Sequence, residues 1–191
     1  MKTLPLLTLA FLFGCNSLSG HIEQQVESKV ETAKDDMSVE VQKLRKEFTI
    51  HFQAIEASSI DSLNKQKLQK LKTSIISTDN YMDSLKREMD NLDEMDVHNV
   101  ELVKITFLYK GAGDSIIYKM KRSIAAAQNV AKTEQQRLAI KAARDSLFTG
   151  SSDDKWKEQM FGLTSPLGAD MIIYGLQTEL YNVGIKALSN K

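Results

Sequence analysis

Residues 21–55 read HIEQQVESKVETAKDDMSVEVQKLRKEFTIHFQAI. The stretch lies within 90 consecutive residues, between Gly20 and Gly111, that hold neither glycine nor proline. Average usage would place roughly ten of them there. Both residue types break helices, so their absence favours helix. The apolar positions are more specific. Ile22, Val26, Val30, Ala33, Met37, Val41, Leu44, Phe48, Phe52, Ile55 and Leu63 step by 4, 4 and 3 in rotation, interrupted only at Ser59. Ile22, Ala33, Leu44 and Ile55 therefore share one phase of an 11-residue repeat, whose stripe runs nearly straight along a helix. Such a stripe calls for a partner helix over part of its length, and a second copy of the chain would supply one.

The pattern continues outward with a change of phase near residues 57–62, where a bend or hairpin is expected. Leu68, Leu71, Ile75, Thr78, Met82, Leu85, Met89 and Leu92 alternate steps of 3 and 4, a seven-residue period suited to bundle packing. Met82 and Met89 fall on its buried phase as soft core fillers. Residues 97–110 are ambiguous, because Val103, Ile105, Phe107 and Tyr109 alternate like a strand while Val100, Val103 and Phe107 suit a helix. They are expected to form a connector leaning extended. Gly111-Ala112-Gly113 is expected to stop it, with Asp114 or Ser115 capping a new helix. Ile116, Ile117, Met120, Ile124, Ala127 and Val130 form that helix's apolar face.

Thr133 with Gln136 matches a capping box opening a helix through Leu138, Ala142 and Leu147. Trp156 and Phe161 sit in a short helical piece. Ser165-Pro166 is a helix start, N-cap followed by proline in the first turn. The last helix buries Ile172, Ile173, Leu176, Leu180, Val183 and Ala187. The expected fold class is all-α, a helical bundle with a long N-terminal, coiled-coil-like helix.

The first residues carry a different signal. Lys2 precedes Leu4–Phe13, ten uncharged residues of which seven are Leu or Phe, followed by Gly14-Cys15. A positive start, a short apolar run and a small residue describe a secretory signal. The run is too short to span a bilayer, which takes about 20 apolar residues. Leu12-Phe13-Gly14-Cys15 resembles a bacterial lipoprotein signal, which implies cleavage before Cys15 and lipidation of its thiol. Cys15 is the single cysteine, so an internal disulfide is excluded. The expected organisation is a signal peptide over 1–14, a lipid-anchor linker over 15–21, a long helix or stalk over 22–58 and a bundle domain over 59–191.

Lys+Arg and Asp+Glu are balanced at 25 each, which gives no overall electrostatic case for nucleic acid. No catalytic constellation stands out. His21, His51 and His98 lack helical ligand spacing, and no HExxH occurs. Glu88, Asp90, Asp93, Glu94 and Asp96 crowd together but lack the order and glycine of a calcium loop, so they read as a solvated helix face or a helix end. The glycines before Asp114-Ser115 lack a Walker lysine. Ser62, Ser74 and Ser146 lack a nucleophile elbow. The expectation is a non-enzymatic protein without metal or cofactor.

The C-terminal third, through Trp156, Phe161, Pro166, Leu176, Gln177, Glu179 and Asn182, resembles the N-terminal helical periplasmic domain of the gliding-motility/type IX secretion protein GldM family. Two earlier stretches add to the resemblance: Tyr81, Leu85, Lys86 and Glu88, and the Gly111-Ala112-Gly113 step followed by Ile117 and Met120. It covers roughly residues 60–191. It implies a dimeric helical domain on the periplasmic side of a membrane in Bacteroidetes-type bacteria. Family members start with a transmembrane helix and continue into β-domains. This chain instead has the cysteine signal and stops at Lys191, so the resemblance implies a stand-alone, lipid-anchored form of the helical domain. Gln177, Glu179 and Asn182 are read as a partner-facing or structural motif. The resulting expectation is a periplasmic scaffold or adaptor accessory to type IX secretion or gliding, tethered through Cys15, with protein partners, a homodimer among them. The competing class is a small-ligand sensor bundle. That class needs a polar residue inside the bundle, commonly Arg, and the core phases hold almost none.

Overall fold

The computed structural model describes residues 20–58, 61–93, 100–148 and 166–189. They form five α-helices: α1 Gly20–Glu56, α2 Ser62–Asp93, α3 Val100–Val130, α4 Glu134–Phe148 and α5 Pro166–Leu188. No strand occurs among the described residues, and the fold is all-α. The chain divides between Ala33 and Lys34 into two compact units. In the first, the described residues are the opening turns of α1, where Thr32 Oγ1 donates to the Ser28 carbonyl at 2.8 Å. The second unit carries the bundle.

Side-chain pairings fix the helix directions in that unit. Arg45 meets Asp79 and Asp83, and Glu56 meets Gln69, so α1 and α2 run antiparallel. Lys34 meets Asp170 and Phe48 meets Tyr181, so α1 and α5 run parallel. Ser74 meets Ser123 while Lys119 lies over Tyr81, which makes α3 antiparallel to α2. The core lies between these helices. Leu44, Phe48 and Phe52 come from α1, Leu68, Leu71, Ile75 and Met82 from α2, Ile116, Met120 and Ile124 from α3, Ile140 from α4, and Ile173, Leu180 and Val183 from α5. These positions repeat at three- and four-residue steps, the face a helix buries.

The stripe on α1 is covered by the chain itself from Val41 to Phe52. Phe48 reaches α5, where Gly184 leaves room for its ring and for Ile75. A Cβ at Gly184 would stand 2.8 Å from Phe48 Cε2 and closer still to Ile75 Cδ1. The turn expected near 57–62 lies where α1 ends and α2 begins. Asp61 opens α2 by accepting the Asn64 N–H at 2.8 Å. Between α2 and α3 the packing is mediated by small hydroxyl residues: Ser123 Oγ stands 2.9 Å from Ser74 Oγ and 3.1 Å from Thr78 Oγ1.

Three expectations change. Residues 100–110 are helical, the first turns of α3, and are no extended connector. A lone strand would leave its backbone groups unpaired, whereas a helix satisfies them internally. Gly111-Ala112-Gly113 neither stops nor turns the chain. Gly111 and Gly113 sit inside α3 with no left-handed φ and no neighbour that a Cβ would meet within 4 Å. Ser115 accordingly does not cap: its Oγ donates back to the Gly111 carbonyl at 3.5 Å, a helix-interior pattern. In α4 the buried side is Gln136, Ile140 and Ala143, while Leu138 and Ala142 are exposed. The capping box sets that phase, because Gln136 must turn inward to bond. Met89, Trp156, Phe161 and Ser165 lie outside the residues whose side chains are described.

Candidate functional site

Among the described residues, the largest polar assembly joins α1, α2 and α5. Asp79 and Asp83, one helical turn apart on α2, share a face. So do Gln177 and Tyr181 on α5. Arg45 enters from α1, beside Leu44 on the edge of the apolar stripe. Asp79 Oδ1 accepts from Arg45 Nη2 at 2.9 Å and from Gln177 Nε2 at 2.8 Å. Asp79 Oδ2 accepts from the Tyr181 hydroxyl at 2.7 Å. Arg45 Nε lies 2.8 Å from the same oxygen, an ion-pair contact whose angle does not make a hydrogen bond. Asp83 Oδ2 accepts from Arg45 Nη2 at 2.6 Å, and its Oδ1 accepts from Gln177 Nε2 at 2.8 Å. Lys86 closes the set, 2.8 Å from Asp83 Oδ1 and donating to Gln177 Oε1 at 3.1 Å. Its ammonium also lies 3.8 Å from the Tyr174 ring centroid, a cation–π contact.

Two cations thus face two carboxylates. Burial works against the charge on Asp83, but hydrogen bonds from Lys86 and Gln177 and the charges of Lys86 and Arg45 outweigh it, holding the carboxyl below its ordinary range. Burial and the neighbouring Asp79 push the Tyr181 hydroxyl up, so it stays protonated and donating. Burial would lower the Arg45 pKa, yet bonding to Asp79 and the charges of Asp79 and Asp83 raise it. Every carboxylate oxygen is taken by a donor from the protein itself. A general base needs a free lone pair within reach of a substrate proton. The chemistry this set performs is cross-linking of three helices.

Of the residues singled out from sequence, Gln177 is fully buried at the centre of this assembly. Glu179 and Asn182 are half-buried on α5 and are not part of it. Cys15 lies outside the described residues. His51 stands 3.8 Å from Glu47 on α1. Among the described residues no group of His, Cys, Asp and Glu is arranged to hold a metal ion. Arg45, Asp79, Asp83 and Tyr181 escaped the sequence reading. Their signal was present as the spacing of Asp79 with Asp83 and of Gln177 with Tyr181. Arg45 also amends the expectation of a core almost without polar residues, since it sits inside the α1–α2–α5 junction. Beside it, Phe48, Phe52, Ile76 and Tyr181 line a cleft of about 190 Å³. No helix among the described residues is long and apolar enough to cross a membrane.

No family model matches this chain, and neither does any curated protein or solved structure.

Proposed function

We propose that this protein is a non-enzymatic, lipid-anchored helical scaffold or adaptor on the periplasmic side of a bacterial membrane, accessory to type IX secretion or gliding. The observation that carries the non-enzymatic part is the spent polar assembly: Asp79, Asp83, Gln177 and Lys86 are used to bond one another and Arg45. The Leu12–Cys15 signal supports the anchor. The resemblance around Gln177 and Tyr81 supports the association with secretion. Capture of the protein from its own membranes, with identification of what co-purifies, tests the partner. Enrichment of secretion or gliding components is the expected result, and their absence counts against the assignment.

A second reading, a ligand-binding sensor bundle, draws on Arg45 beside the cleft. It predicts that a small anionic ligand raises the unfolding temperature. The scaffold reading predicts no shift, because Arg45 is already bonded to two carboxylates.

A further inference from the structure

Charge is balanced over the whole chain and unevenly placed within it. From Tyr118 to Phe148 there are seven cations and two carboxylates. Residues 131–133 join α3 to α4, and at the far end of α4 the Phe148 ring centroid lies 5.2 Å from Lys121 Nζ. The two helices are therefore antiparallel. On the α3 side, Lys121, Ala125, Gln128 and Lys132 recur at steps of 4, 3 and 4. Lys132 continues that row because the Ala131 N–H still donates to the Ala127 carbonyl, at 3.0 Å. On α4, Arg137, Lys141, Arg144 and Phe148 recur at the same steps. Such steps keep residues on one flank of a helix. The contact of Lys121 with Phe148 turns the two rows to each other.

The groove between the rows holds Lys121, Lys132, Arg137, Lys141 and Arg144, and neither row contains a carboxylate. Glu134 reaches Arg137 at 3.4 Å, with both side chains exposed. Lys132, Lys141 and Arg144 are exposed and form no ion pair among the described residues. Ala125, midway along the α3 row, is exposed as well and leaves the groove open beside Arg144. Arg137 and Lys141 are like charges four residues apart, a spacing that costs helix stability. A local rule broken without structural gain marks a place where function sets the sequence.

We propose that the α3–α4 groove seats an acidic helical segment of a partner protein, whose carboxylates meet Arg137, Lys141 and Arg144. A third helix packs along the groove between two others, and helix-in-groove docking reads side chains at three- and four-residue steps. An acidic ridge with these steps matches the α4 row, which runs roughly 16 Å from Arg137 to Phe148. Guanidinium–carboxylate bonds are among the stronger polar contacts. A flat lipid surface is the poorer complement. It would meet the crest of α4, opposite Gln136, Ile140 and Ala143, where Asp145 stands beside Leu138. The proposal supplies the class of partner for the scaffold reading and rests on that reading for the partner's existence.

The test uses the full chain with Cys15→Ser, so that no acyl group contributes. The probe is a fluorescent helical peptide of about 18 residues, long enough to hold its helix, with glutamates at steps of 4, 3 and 4. Its control has the same composition with the glutamates spread around the helix. Anisotropy should show saturable binding of the first peptide that about 0.5 M salt removes, and weaker binding of the control. Arg137→Gln, Lys141→Gln and Arg144→Gln together should weaken binding roughly tenfold, about twofold for each ion pair. Lys65→Gln with Lys70→Gln should leave it unchanged, because α2 packs on the other flank of α3 through Lys119 and Ser123. All five side chains are exposed, so circular dichroism should find these variants folded. Equal binding of the two peptides overturns the proposal, as does binding that survives loss of the three α4 cations or falls equally with the two α2 lysines. Binding to phosphatidylglycerol vesicles without binding to the peptide overturns it too and makes lipid the occupant. Failure here with secretion components still co-purifying leaves the scaffold reading standing. Peptide binding when nothing co-purifies removes the secretion assignment and keeps the groove.

Discussion

Glycine has opposite meanings at two places in this bundle. At Gly111 and Gly113 the backbone is helical and the space beside each Cα is open, so an added methyl group meets nothing. Gly111→Ala and Gly113→Ala should each stabilise the fold by about 0.5–1 kcal/mol in urea unfolding. A turn glycine would show the reverse sign. At Gly184 the Phe48 ring and Ile75 occupy the place of a Cβ, and Gly184→Ala should cost about 1–3 kcal/mol by overpacking. Sequence alone does not separate these cases, because spacing records where glycine stands and not what surrounds it. Arg45 poses the matching problem for charge. Arg45→Met would strand Asp79 and Asp83 without their shared cation, and the expected loss is about 2–4 kcal/mol, reduced by the partial exposure of the site. Restoring neutrality with Asp83→Asn in the same chain should recover part of that loss. The Asp83 carboxyl also sets a pH dependence. Its folded pKa is depressed, so its contribution is fully present above the ordinary aspartate value of about 4 and is lost as pH falls through the folded value. Asp83→Asn should therefore flatten the fall in stability below about pH 4, as measured by denaturation at stepped pH.

Among the elements, α4 has the clearest local determinant. Thr133 Oγ1 accepts the Gln136 N–H at 3.1 Å, and Gln136 Oε1 accepts the N–H groups of Thr133 and Lys132 at 2.9 and 2.7 Å. Thr133→Ala should cost about 1 kcal/mol. Gln136→Ala should cost more, since it also frees the Ser189 carbonyl beyond α5. The capping box was legible in Thr133 and Gln136, and so were the end of α1 and the start of α2 in the change of phase near 57–62. The buried face of α4 was not. Leu138 is the more apolar residue, but the inward Gln136 decides the rotation of the helix, a tertiary demand with no local signature. The opening of α3 was likewise hidden, because Val103, Phe107 and their neighbours satisfy both periods. The helix prevails through its internal hydrogen bonds.

For the whole molecule, the all-α architecture was readable from the glycine- and proline-free run and its apolar repeats. The second half of the α1 stripe proves to be covered by α2 and α5 of the same chain, through Phe48, Phe52 and Arg45. The Arg45 assembly was hidden because its members lie 98 and 34 residues apart, and no local pattern joins Asp79 to Gln177 or to Arg45. The proposed localisation rests on a lipid tether at Cys15. The most direct measurement is the intact mass of the protein purified from its own membranes. A lipid tether predicts a chain that begins at Cys15 and carries fatty acyl mass. A chain that still begins at Met1, or one cut elsewhere with a free thiol, would contradict it.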